Sequence, residues 1–155
     1  SWSSCSYEQI LTDVLQLFIS SDEIPTTVLS EIITESFKRF DKKDIMPLVD
    51  IGNDMHVLEM FHGPTGAFKD ISLGVLGKLF DYFLGKSKRK VTVLVSTSGD
   101  TGSAAIEGVR GSKNIDIIVV YPFGKISNVQ EKQMITVLDE NVHVFGVDGT
   151  SDDLD

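Results

Sequence analysis

Three apolar runs in the second half of the chain, Val91 to Val95, Ile115 to Val120 and Val142 to Val147, constrain the fold more than any other feature. Each is short, β-branched and nearly unbroken, the pattern of a strand covered on both faces. Helical signals fill the gaps. Gly102 to Val109 reads as a short helix stopped by Gly111, and Ser127 caps another that runs through Leu138. A β-α-β-α-β order predicts a parallel sheet with right-handed crossovers, and so an α/β domain.

The first half is organised differently. Ser6 and Gln9 make a capping box, followed by Tyr7, Ile10, Leu11, Val14, Leu17 and Phe18 at helical spacing. Pro25 suits a first helical turn, and Val28, Leu29, Ile32, Ile33, Phe37 and Phe40 mark one apolar face. These helices predict a hairpin. Met46 to Ile51 and Met55 to Phe61 read as two strands around the turn Gly52-Asn53-Asp54. A long helix then carries Phe68, Ile71, Val75, Leu76, Leu79, Phe80 and Phe83 and ends near Gly85. Two segments follow from this reading. Residues 1–90 form a helical segment, and residues 91–155 a partial parallel α/β subdomain that looks incomplete at its C-terminus.

Composition excludes several functions. A net charge of −9 repels a phosphate backbone, so nucleic acid is not the expected partner. The one basic cluster, Lys86, Lys88, Arg89 and Lys90, reads as a solvated turn. A single cysteine, Cys5, permits no intrachain disulfide and no cysteine-based metal site. His56, His62 and His143 lack ligand spacing, so no metal is expected. No apolar run approaches the roughly 20 residues of a membrane span. These features predict a cytoplasmic protein. The start at Ser1 and the helix-like opening Ser151 to Asp155 suggest a piece of a longer chain.

Two dense runs carry the chemistry. The first is His62-Gly63-Pro64-Thr65-Gly66-Ala67-Phe68-Lys69-Asp70, where a turn becomes a helix. A cation at a helix N-terminus costs roughly 0.3–1 kcal/mol, so stability alone would place Asp70 there and not Lys69. The same field favours the neutral amine, the form that attacks an aldehyde, and apolar Ala67 and Phe68 would add desolvation. The second run, Thr97-Ser98-Gly99-Asp100-Thr101-Gly102, breaks a buried strand into a helix. Its backbone amides suit a carboxylate or phosphate at the end of a parallel strand. Asp100 is the anomaly, because a carboxylate in an anion site repels its ligand; it would suit a phenolic oxygen, a positive imine or a proton in transit instead. Neither run completes a P-loop, a dinucleotide fingerprint or a nucleophile elbow.

Together the two runs, with Val129-Gln130-Glu131-Lys132-Gln133-Met134 and Asn141-Val142-His143-Val144, resemble the threonine synthase family, above all its animal threonine synthase-like 2 branch. The resemblance implies a three-layer αβα sheet of the tryptophan-synthase-β type (fold type II pyridoxal-phosphate enzymes). It implies that Lys69 carries pyridoxal 5'-phosphate and shuttles the substrate Cα proton. Ser98, Gly99, Thr101 and Gly102 would hold the substrate carboxylate, and Asp100 would lie near the cofactor ring. The implied reaction is a phospho-lyase acting on O-phosphothreonine or O-phosphohomoserine to give 2-oxobutyrate, ammonia and phosphate. The alternative is synthesis of threonine from O-phosphohomoserine. Assembly as a homo-oligomer stays open.

The chain departs from the family in a minor way at Gly66, where many relatives carry a larger residue, and in a serious way further along. The glycine-rich loop that cradles the cofactor phosphate in relatives has no counterpart after residue 102. These 155 residues alone are therefore expected to bind the cofactor poorly and not to turn over. A competing reading makes the chain a protein-binding or signalling factor with inherited, unused motifs.

Overall fold

Local hydrogen bonds start the first helix where the sequence places it. In the computed structural model, which describes residues 2–153, the Ser6 hydroxyl accepts from the Gln9 amide at 3.3 Å. The Gln9 side chain accepts from the Ser6 amide at 2.8 Å. This box opens α1 (Tyr7–Leu15), and Pro25 precedes α2 (Thr26–Phe37). The two helices pack through Leu29, Ile33 and Phe37, with Tyr7 edge-on to Phe37 at 5.5 Å. Leu17 and Phe18, expected on the apolar stripe of α1, are exposed. The helix ends before them in a turn whose amides bond back to Val14 and Leu15, so the stripe has no helix to continue on.

Strands β1 (Leu48–Gly52) and β2 (Met55–Leu58) form an antiparallel hairpin, shorter than the alternation predicts. Asn53 and Asp54 take left-handed conformations in its turn (φ 54° and 57°), and the Asp50 carboxylate accepts the Gly52 amide at 2.7 Å.

The remaining elements are α3 (Lys69–Ser87), β3 (Val91–Ser96), α4 (Asp100–Val109), β4 (Ile115–Pro122), α5 (Asn128–Ile135) and β5 (Val142–Val147). Trp2–Ser4 and Ser151–Asp153 are single 3-10 turns. Of the expected terminal helix, Leu154 and Asp155 lie outside the described residues. Strands β3, β4 and β5 form one parallel sheet in that order, with Val93 opposite Ile117 and Ile117 opposite Val142.

Ile106 of α4, Met134 of α5 and Ile117, Val119 and Tyr121 of β4 form the core of this sheet. Val93, Val95, Val142 and Val144 of the outer strands pack on it from the same face. Of the three-layer arrangement, the described residues contain the sheet and this one helical layer. On the opposite face Leu94 is 70% and Phe145 is 55% exposed. The expectation of strands covered on both faces therefore holds for β4, whose residues are all buried or half-buried, and not for β3 or β5.

Packing divides the chain after Phe68, whereas the sequence pattern suggests a division at residue 90. The difference is α3, which packs on α4. At their crossing a Cβ on Gly77 would stand 2.2 Å from the Gly108 carbonyl oxygen, and one on Gly108 would stand 2.5 Å from that of Leu73. Two glycines thus allow backbone-to-backbone contact. Asn141 closes the other end of the sheet. Its Nδ2 donates to Val109 and Ile115 carbonyls at 3.0 and 2.8 Å, and its Oδ1 accepts the Gly111 amide at 2.9 Å. The basic residues Lys86, Lys88, Arg89 and Lys90 are all exposed.

Candidate functional site

Thr97 organises the loop between β3 and α4. Its buried Oγ1 accepts two backbone amides, those of Gly99 and Gly102, each at 2.9 Å. The hydroxyl of Ser103, also buried, donates to the Gly99 carbonyl at 3.1 Å. Gly99 is the N-cap of α4 at φ 136°, a conformation that L side chains rarely adopt. The loop is therefore a folded ring closed from within by one threonine.

This ring decides which groups face outward. Gly102 is buried, with Thr97, Met134 and Val119 side chains within 3 Å of where a Cβ would sit, and its amide is taken by Thr97. Ser98 and Asp100 are exposed, and Thr101 is half-buried. The amides of Asp100 and Thr101 fall in the first helical turn, where no intrahelical acceptor exists. These amides, at the C-terminal end of a parallel strand, are the groups of the loop that an anion could engage.

Asp100 does not stand alone. Gln130 of α5 donates through Nε2 to Asp100 Oδ1 at 2.8 Å. Beside it, Tyr121 at the end of β4 donates to Glu131 at 2.8 Å. Burial first, and then the bond to Glu131, push the Tyr121 hydroxyl above its ordinary value, so it stays protonated and donating.

Lys69 is the first residue of α3 and is half-buried. Asp70 beside it is buried in the same first turn, where the helix field favours a carboxylate. Leu73, one turn after Lys69, and Thr101, in the first turn of α4, line one apolar cavity of about 110 Å³. Both predicted motifs thus end on helices that pack against each other within one unit. Phe68, expected to bury the lysine environment, is 58% exposed.

The first unit holds a polar cluster that sequence spacing did not reveal. His62 is buried, with Nδ1 2.8 Å from Asp41 and Nε2 2.7 Å from Glu59. Lys42 reaches the same Glu59 oxygen at 3.2 Å. The His62 bond first, and then Lys42, hold the Glu59 carboxyl below its ordinary value. Asp41 and Glu59 are 21 and 3 residues from His62, so no local motif points to the pair. Thr97 and Gln130 were also missed as working residues. The signal for Gln130 was its position three after Ser127, which reads as a helix cap and nothing more. Among the described residues no group of side chains is arranged to hold a metal ion.

No family model matches the chain. Threonine synthase-like 2 from Xenopus laevis is 50% identical over 155 residues, covering 100% of this chain and 33% of that protein. The Homo sapiens protein of the same name is 49% identical over 154 residues, 99% of this chain and 32% of its own length. Threonine synthase from Saccharomyces cerevisiae is 44% identical over 163 aligned residues, 97% of this chain and 32% of that protein. In structure, yeast threonine synthase superposes with a TM-score of 0.92 at 43% identity, over 98% of this chain and 32% of its own. PLP-bound threonine synthase from Brucella melitensis gives 0.89 at 38% identity, over 98% and 32%. The chain spans about a third of the length of the relatives it matches.

Proposed function

We propose that this chain is part of a threonine synthase family member, and that the full-length protein is a pyridoxal-phosphate-dependent phospho-lyase acting on O-phosphothreonine or O-phosphohomoserine. The observation that carries this reading is the pairing of Lys69 at the start of α3 with the Thr97-closed loop at the start of α4, on helices that pack together. The donors suit the cofactor and its substrate. Lys69 offers a primary amine for the cofactor aldehyde, and the loop offers backbone amides for a carboxylate.

When bound, the cofactor supplies an electron sink for the Cα carbanion. The residues of this chain do the rest. The first-turn amides of Asp100 and Thr101, beside Ser98, hold the substrate α-carboxylate, while Gly99 and Gly102, their amides bonded to Thr97, shape the loop beneath it. Asp100 would lie near the cofactor ring. Lys69 Nζ removes the Cα proton and remains the local acid for the next transfer. From phosphothreonine, phosphate then leaves the β carbon with the electron pair freed at Cα; from phosphohomoserine, a Cβ proton is also removed, phosphate leaves the γ carbon, and a proton is returned to Cγ. Water added to the released unsaturated amine gives 2-oxobutyrate and ammonia.

A cytoplasmic location and a small phosphorylated amino-acid ligand, rather than nucleic acid, go with this reading. Among the described residues no helix is long and apolar enough to cross a membrane. The 44% identity to yeast threonine synthase favours a second outcome, in which water adds at Cβ to give threonine. The test is product analysis with the full-length protein that contains this sequence. Phosphate and 2-oxobutyrate released in equal amounts, and lost in Lys69→Ala, support the lyase. Threonine in place of 2-oxobutyrate moves the assignment to synthase, and no phosphate release from either substrate overturns both.

A further inference from the structure

The anomaly of Asp100 has a structural answer in Gln130. A carboxylate in the first turn of a helix is drawn to the same positive end that would hold a ligand. Gly99, the N-cap of α4, brings no side chain to cap those amides. Left to itself, Asp100 would compete for them. Instead its Oδ1 accepts from Gln130 Nε2 at 2.8 Å. Gln130 is itself held at its other end. Its Oε1 accepts from the Ser127 amide at 3.2 Å and from the Ser127 hydroxyl at 3.0 Å. The Ser127 hydroxyl also accepts the Gln130 amide at 3.2 Å. The side-chain amide of Gln130 lies so close to Gly99 that a Cβ there would be 2.5–2.8 Å from its atoms. The cap of α5 is thus a rigid arm that reaches the start of α4.

We propose that Gln130 is a positioning residue of the substrate site, an arm that holds the Asp100 carboxylate off the first-turn amides of α4 so that a substrate carboxylate can take them. The inference rests on the proposed function, since it assumes that the loop binds a carboxylate. It accounts for three features together: an acid in an anion loop, a glycine at φ 136°, and a capping glutamine that also bonds outside its own helix.

The experiment compares two probes on the full-length protein loaded with pyridoxal phosphate. One is L-2-amino-5-phosphonopentanoate, whose phosphonate cannot leave; the other is its carboxamide. Binding is followed by calorimetry and by the visible absorption of the bound cofactor. The wild-type protein should prefer the acid. In Gln130→Ala, affinity for the acid should fall on the order of tenfold, as for a lost charge-assisted hydrogen bond, with the carboxamide within about twofold. Adding Asp100→Asn should restore most of the preference, because the competing charge is gone. A purely structural role would weaken both probes alike. If Gln130→Ala does not fold, Gln130→Asn, one methylene too short to reach Asp100, is read by the same ratio.

An acid-to-carboxamide ratio unchanged by loss of the arm, or a lowered ratio that Asp100→Asn does not rescue, overturns the proposal while leaving the proposed function standing. A wild-type protein that binds both probes equally overturns the carboxylate loop itself, and the proposal with it.

Discussion

Some single residues in this chain act by closing backbone rather than by offering chemistry. Thr97 is the main example, because one hydroxyl oxygen satisfies two amides of the loop. Thr97→Val keeps the shape and removes the acceptor, leaving two buried donors unpaired. We expect a loss of about 2–4 kcal/mol by chemical denaturation, with Thr97→Ser close to wild type. Asn141 works the same way on the opposite side of the sheet, with three hydrogen bonds to Gly111, Val109 and Ile115. Asn141→Ala should cost about 3 kcal/mol. Unchanged stability in that variant would show that water replaces the side chain. The identities of Lys69, Ser98, Gly99, Asp100, Thr101 and Gly102 were all legible as candidates. The internal use of the Gly99 and Gly102 amides was not, since nothing in a linear run says which amide a neighbouring hydroxyl will take.

At the scale of elements, α3 and α4 cross through Gly77 and Gly108. A methyl at either position meets a carbonyl oxygen of the facing backbone, which cannot rotate away. Gly77→Ala should therefore destabilise by about 1–3 kcal/mol or more, although alanine is the better helix former. Thermal unfolding of Gly77→Ala beside an exposed control such as Lys78→Ala separates the two effects. The cluster of Asp41, Glu59, His62 and Lys42 gives the first unit a pH dependence. Glu59 is held below its ordinary 4.5, mainly by His62. Its contribution is thus present at pH above about 4.5 and is lost as pH falls through the lowered folded value. Melting temperature followed from pH 7 to pH 3 should drop less steeply in Glu59→Gln than in wild type. The strand and helix runs were legible by periodicity. Their ends moved by a few residues, as after Leu15, where turn hydrogen bonds to Val14 and Leu15 replace the helical ones.

At the largest scale, the dominant feature among the described residues is the exposed sheet face opposite α4 and α5. Leu94 and Phe145 stand exposed on it, and they flank the half-buried Ile118 and Val120 of β4. A contiguous apolar surface of this kind binds hydrophobic dyes and promotes association. The 155-residue chain in isolation should enhance the fluorescence of such a dye, and Leu94→Lys should reduce it with a stability change within about 0.5 kcal/mol. A large loss of stability would mean that Leu94 is packed after all.

The α/β class, the parallel sheet, the capped helices and the two motifs are legible in the linear chain, because each is written in local periodicity, cap residues and turn residues. Packing alone established that α3 belongs with the sheet, that Leu94 and Phe145 on one sheet face are exposed among the described residues, and that Gln130 reaches Asp100 across 30 residues. Those depend on which helix faces meet, and a pair of glycines or one long side chain settles such meetings at a distance that no local pattern encodes.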